Sequence, residues 1–366
     1  MIPTDPLFRP FNSRNLDLAN RIVMAPMTRS FSPGGTPGKN VAAYYRRRAE
    51  GGVGLIITEG TAPEHPAAAS DANVPLFYGD ALKGWAEVLR EVHAAGGKIA
   101  PQLWHVGGLR KPGQGHFPDA PSSMPSGLHH SGKQVGQPLA EGEIAELIAG
   151  YAKSAGYAKA LGFDGIAVHG AHGYLIDQFF WERTNQRTDR WGGSIAARTS
   201  FAAEVIRAIR RAVGPAFPII LRFSQWKQQD YPAKLAPNPA ALETFLAPLT
   251  DAGVDIYHCS TRRFWEPEFE GSTLNLAGWT KKISDLPTIT VGSIGLAEEF
   301  IATYRSDDPA APAPIDDLVE RLGAGEFDLV AIGRMLLVEP EWPKKVRAGR
   351  LGEVRPYSRT ALATLD

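Results

Sequence analysis

The segment His169-Gly-Ala-His172-Gly-Tyr174 sets two imidazoles and a phenol within six residues. Three readings of that spacing stand side by side. A His-x-x-His pair can ligate a metal, with Asp177 or Glu59 as third ligand, which would suit a barrel hydrolase or lyase. The same side chains can form a purely structural cluster. Or two N–H donors beside a phenol can polarise a carbonyl oxygen and supply a proton to a nearby carbon. Further polar residues and glycines occupy equivalent places along the chain: Thr28, Glu59 with Gly60, Gln102, Arg222, Gly292-Ser293 and Gly333-Arg334. Each closes or follows a short apolar run. Burying any one of them costs hydration, so several at one rim imply a shared polar partner.

The apolar runs supply the frame. They are Arg21–Ala25, Val53–Thr58, Lys98–Leu103, Asp164–His169, Pro218–Phe223, Val254–Cys259, Pro287–Val291 and Phe327–Ile332. Their length and β-branched content predict strands, and their continuous hydrophobicity predicts burial on both faces, as in a parallel sheet. Stretches with helical spacing intervene, among them Ala81–Ala95, Glu141–Ala160, Ile195–Val213 and Pro239–Ala252. Glycine follows all four, at Gly96, Gly162, Gly214 and Gly253, where a left-handed stop is expected. Eight strands alternating with helices predict one (β/α)8 TIM barrel over residues 1–366, with no internal boundary.

In such a barrel the C-terminal strand ends carry the chemistry. The loops from His105 to Pro138 and after Cys259 are long and leave that face. Gly292-Ser293 and Gly333-Arg334 follow the seventh and eighth strands, the usual phosphate site, where backbone N–H groups hold the anion and Arg334 adds a bidentate charge. The segment Leu16–Ile22 is expected to form a small hairpin closing the other end.

Composition narrows the rest. Lys plus Arg number 39 and Asp plus Glu 39, a formal charge of zero, so nucleic acid is not an expected partner. One cysteine, Cys259, leaves no internal disulfide, iron–sulfur cluster or cysteine-based zinc site. No apolar run approaches the roughly 18 residues of a membrane span. Met1-Ile-Pro-Thr-Asp-Pro lacks a signal-peptide pattern, so a cytoplasmic location is expected.

Taken in order, these motifs resemble the old yellow enzyme family of FMN-dependent ene-reductases, from about Leu7 to Arg350. The resemblance rests on Asn20-Arg-Ile-Val-Met-Ala-Pro-Met-Thr-Arg29, Thr58-Glu-Gly-Thr61, Gln102-Leu-Trp-His-Val-Gly107, the His169–Phe179 segment, Asn185-Gln-Arg-Thr-Asp-Arg-Trp-Gly-Gly-Ser194 and Ile332-Gly-Arg334. It implies non-covalent FMN, with NADPH or NADH as a transient reductant and an electrophilic alkene as substrate. It further implies two alternating half-reactions and a monomer or homodimer. Pro26, Met27 and Thr28 would border the isoalloxazine, with the Thr28 hydroxyl on flavin O4. Gly60 and Gln102 would meet the pyrimidine edge, Arg222 would sit near N1 and the C2 carbonyl, and Gly292, Ser293, Gly333 and Arg334 would hold the phosphate. His169, which also borders the cofactor, and His172 would grip the substrate oxygen. Tyr174 would protonate Cα as hydride reaches Cβ. Trp104 and Trp265 are candidates for the substrate wall.

Departures from the pattern are local. Gly108 stands where the family commonly has Arg, and Arg222-Phe-Ser-Gln-Trp-Lys-Gln-Gln-Asp230 has no match in the commonest members. The chain also ends soon after Tyr357, without the aromatic tail of some relatives. One cysteine in 366 residues is expected to set it apart from members with a second domain and an iron–sulfur cluster.

Overall fold

Apolar runs that must be covered on both faces close on themselves when helices alternate with them, and they do so here. The computed structural model describes residues 4–13, 16–299, 303 and 308–366. A short hairpin, β1 (Phe11–Ser13) with β2 (Leu16–Leu18), precedes the barrel. Then follow β3 (Ile22–Met24), β4 (Leu55–Thr61), β5 (Ile99–Leu103), β6 (Ile166–His172), β7 (Ile219–Lys227), β8 (Ile256–Ser260), β9 (Thr288–Val291) and β10 (Leu329–Ile332). They pair in parallel in chain order, and β10 returns to β3 to close the ring.

Alternation along each strand divides the core in two. Ile22, Met24 and Ile56 point outward into the layer beneath the helices. Val23, Leu55, Ile57, Ala100, Ala167, Ile220, Ile256, Ile289 and Leu329 fill the barrel interior, and Phe11, Leu16 and Leu18 of the hairpin join them. The hairpin lies at the face opposite the strand ends, since Leu16 and Asp17 share a hollow with Lys98, Asp164 and Pro218. It therefore plugs that end as expected, but is formed by Phe11–Ser13 and Leu16–Leu18 rather than by Leu16–Ile22, and Ile22 instead opens β3; residues 14–15 lie outside the described residues. Each large apolar side chain buried in such a plug contributes on the order of 1.5–3 kcal/mol.

The helices Ala81–Ala94, Glu141–Leu161 and Pro239–Ala252 follow the predicted spacing. Gly162 (φ 94°) and Gly253 (φ 106°) end two of them in the left-handed region. The predicted helix Ile195–Val213 divides into Ile195–Arg198 and Ser200–Val213. The Thr199 hydroxyl donates to Ala196 O at 2.6 Å, a local bond that competes with the helical ladder.

Four strands run past the end of their apolar run, to Thr61, His172, Lys227 and, by one residue, Ser260. Register shifts after Ile57 and after Gly170 let pairing resume beyond an irregularity. His169 to His172 is consequently strand, not loop. No helix among the described residues is long and apolar enough to cross a membrane.

Candidate active site

The C-terminal face of the barrel opens into a cleft of about 540 Å³. Pro26, Met27 and Thr28 reach it directly after β3, Gly60 from β4, and Gln102 and Trp104 from β5 and its exit. His169 and His172 come from β6, and Tyr174 caps the helix Leu175–Phe180 that follows. Arg222 enters from β7, Gly292 and Ser293 follow β9, and Gly333 and Arg334 follow β10. Every one of these predicted residues lines the one cleft.

Register explains part of the convergence. His169 on β6 pairs with Arg222 on β7, which pairs with His258 on β8, so the three share the inward face at one level. Burial, with Arg222 beside them, holds the His169 and His172 imidazoles well below the usual histidine range. Both are therefore neutral at neutral pH. Burial also lowers Arg222, to about 10, which leaves it charged. The Tyr174 phenol is pushed up by burial and keeps its proton. Its ring centroid lies 5.3 Å from that of His169, and Trp104 meets it edge-on at 5.0 Å.

Several residues that line the cleft hold polar atoms with nothing to bond. Gln102 Nε2, His169 Nδ1 and Arg222 Nε are buried without a hydrogen-bond partner among the described residues. His258, wholly buried, has neither ring nitrogen bonded. At the far end, Gly292 takes φ 147° and Ser293 φ 50°. A Cβ on Gly292 would lie 2.5 Å from Thr261 O, so only glycine lets the backbone line the cleft there. Arg334 Nη2 donates to Ser293 Oγ at 3.2 Å and to Glu298 O at 2.9 Å, spanning the ends of β9 and β10.

Two expectations need correction. Trp265 is 37% exposed, stands edge-on to Phe264 and does not line the cleft, although Thr261 and Arg262 of the same loop do. The third metal ligand is also missing from the reading of His169 and His172 as a metal pair. Asp177 is bound to Lys227, and Glu59 accepts the backbone N–H groups of Arg29 and Ser30. No group of three or more His, Cys, Asp or Glu side chains is placed to hold a metal among the described residues.

Other lining residues were not anticipated: Trp226 and Gln228 on and after β7, Ser260 on β8, Thr261 and Arg262 beyond it, and Tyr357 and Leu362 near the C-terminus. The unmatched segment after Arg222 was the available signal for the first two. Nothing local marks the others.

The sequence profile of the NADH:flavin oxidoreductase / NADH oxidase family matches residues 6–353. The chain belongs to this family, the old yellow enzymes. It is an FMN-dependent oxidoreductase whose reductant is a nicotinamide. Among its old yellow enzyme relatives, the NADH oxidase of Thermoanaerobacter brockii is 37% identical over 356 residues, covering 93% of this chain. This chain spans 50% of that protein's length. The 12-oxophytodienoate reductase 2 of Arabidopsis thaliana is 30% identical over 372 residues, covering 99% of this chain and 93% of the relative. Morphinone reductase superposes with a TM-score of 0.80 at 28% identity, over 97% of this chain and 92% of its own. A structure of that enzyme holds tetrahydroNAD.

Proposed function

We propose that this protein reduces activated C=C bonds, those of α,β-unsaturated carbonyls, nitroalkenes and maleimides, at the expense of NADPH or NADH. The observation that carries the reading is the grouping of two neutral imidazoles and a protonated phenol on one wall of the cleft. FMN, when bound, would supply the hydride chemistry that links the nicotinamide to Cβ of the alkene.

The residues present fit that group. Unpartnered N–H donors on Gln102 and Arg222 suit a heterocycle with acceptor atoms along one edge. Thr28, exposed in the cleft, has a hydroxyl free to meet O4. Pro26, Met27 and Gly60 line the cleft, and Gly60 lets the Trp104 ring approach, since a Cβ there would lie 2.5 Å from it. The charge of Arg222 favours the electron-rich form of a ring beside it. Gly292, Ser293, Gly333 and Arg334 offer backbone N–H groups and a cation to a phosphate.

On the substrate side, His169 and His172 donate N–H groups to the carbonyl or nitro oxygen, stabilising the negative charge that develops there. Neutral imidazoles serve better than imidazoliums as fixed donors here, because they add no charge repulsion against Arg222. Tyr174, whose proton burial retains, delivers that proton to Cα. Trp104 braces the phenol edge-on.

Anaerobic titration of the purified protein with each nicotinamide, followed by addition of cyclohexenone, tests the reading. A flavin spectrum that bleaches with nicotinamide and returns with the alkene is expected. A flavin that neither nicotinamide reduces, or that the alkene fails to reoxidise, overturns it.

A further inference from the structure

Lys227 and Asp177 form an ion pair of 2.6 Å with both side chains fully buried, directly behind the catalytic wall. Neither lines the cleft, and neither has a part in the chemistry above. Replacing such a pair by apolar residues of similar volume is often no loss to stability, since both charges must be desolvated to form it. Stability alone is therefore a poor account of it.

Its connections suggest another. Asp177 spends its second oxygen on the backbone: Oδ2 accepts the N–H of Gly173 at 2.7 Å. Gly173 (φ 81°) and His172 (φ 65°) are consecutive left-handed residues, and this turn launches Tyr174. His172 is not a glycine, and side chains rarely adopt that conformation unless the surroundings enforce it. The enforcement comes from the end of β7. Lys227 pairs in register with His172, Ser224 Oγ accepts the His172 N–H at 3.0 Å, and the Gln229 amide packs against Gly173, where a Cβ would meet it at 2.2 Å. Gln228 Oε1 stands 3.5 Å from the Tyr174 hydroxyl. Burial raises the Asp177 carboxyl, and the Lys227 charge is the largest opposing influence.

We propose that Asp177, neutralised by Lys227, is a positioning residue for proton transfer: its bond to Gly173 fixes the turn that aims the Tyr174 phenol at Cα of the substrate. The proposal rests on the reading of Tyr174 as the proton donor. It assigns a role to the segment after Arg222 that departs from the family pattern.

The test compares two double variants of the holoenzyme by stopped flow. Lys227→Met/Asp177→Leu makes the site apolar and deletes the acceptor for Gly173. Lys227→Met/Asp177→Asn is equally neutral but keeps an amide oxygen there. The first should slow reoxidation by cyclohexenone at least tenfold, within the range of about 10²–10⁴ that a general acid contributes. Flavin reduction by nicotinamide should change less than threefold. The second should recover cyclohexenone turnover to within threefold of the parent. Should the leucine variant fail to fold, Lys227→Met/Asp177→Ala removes the acceptor without adding bulk and carries the same expectation.

Equal slowing of both half-reactions, normal cyclohexenone reoxidation without the acceptor, or no recovery with asparagine overturns the proposal. Tyr174→Phe is run alongside. If that variant keeps full cyclohexenone reoxidation, the reading of Tyr174 fails and the positioning role falls with it. If it alone is selectively slow, only the positioning role is lost.

Discussion

His172 Nε2 lies 2.8 Å from Ser260 Oγ, and Arg222 Nη2 donates to that same oxygen at 3.3 Å. One hydroxyl thus ties the imidazole to the guanidinium across three adjacent strands. Nε2 is occupied, which leaves the other ring nitrogen of His172 as the one that could meet a ligand in the cleft. His172→Ala should therefore weaken a phenolic ligand, which mimics an enolate, by tenfold or more, the worth of about one hydrogen bond to a charged group. Flavin content should stay nearly intact. Titration of the flavin absorbance with phenol measures this, and a loss of bound divalent metal in place of phenol affinity would restore the metal reading.

Tyr174→Phe keeps the ring against Trp104 and His169 and deletes only the hydroxyl. Reduction by nicotinamide asks for no proton from the protein and should change by no more than a few-fold. Reoxidation by cyclohexenone should slow by roughly 10²–10⁴, the usual contribution of a general acid. Nitroalkenes are the control, because their nitronate is stable without protonation, so hydride transfer to them should survive. Stopped-flow rates for each half decide it; equal slowing of both would mean that the phenol only shapes the cleft.

The flavin should be released by heat as FMN, with a mass that excludes the adenylate of FAD. Arg334→Ala should weaken its retention, since a charge-assisted contact is worth on the order of 1.5–3 kcal/mol, or about ten- to a hundredfold in affinity. The guanidinium also joins Ser293 to the Glu298 carbonyl, so the loss should exceed that of Ser293→Ala. Equilibrium dialysis of FMN against both apoproteins gives the comparison, and equal retention by Arg334→Ala and the parent would remove Arg334 from the phosphate site.

Glu59 introduces a pH dependence next to Gly60. Burial pushes its carboxyl from 4.5 up to about 7, against the pull of the Ser30 and Arg29 N–H groups. Between those values the folded state holds a proton that the unfolded chain has released, so stability falls as pH rises through this window. The slope reaches up to about 1.4 kcal/mol per pH unit. Glu59→Gln removes the titration while keeping an oxygen for both N–H groups. Its Tm should pull ahead of the parent's steadily as pH rises from 4.5 to 7. Parallel Tm curves over that range would show that Glu59 does not titrate there.

Much of the barrel is legible in the sequence alone. The eight runs are apolar without alternation, and that property belongs to each run by itself, so Pro218–Phe223 or Pro287–Val291 could be placed without knowing its neighbours. Strand ends were less legible. Hydrophobicity stops at Phe223 and His169, whereas pairing continues to Lys227 and His172, because backbone hydrogen bonds do not depend on side-chain polarity. Trp265 was misplaced for a related reason: an aromatic in a loop carries no mark of the direction in which the loop folds.

The sequence by itself determined the chemical inventory of the site. Residue types and their spacing within a few positions, as in His169, His172 and Tyr174, are fixed by the covalent chain. Register and loop path decided the rest. Lys227 stands fifty residues from Asp177, and Ser260 eighty-eight from His172, yet each pair is in hydrogen-bond contact. Such contacts depend on how β6, β7 and β8 slide against one another, and a slip of one residue would turn Arg222 and His169 to the other face of the sheet. That alignment comes from packing the whole barrel interior at once, a sum over distant residues that no short stretch of sequence contains.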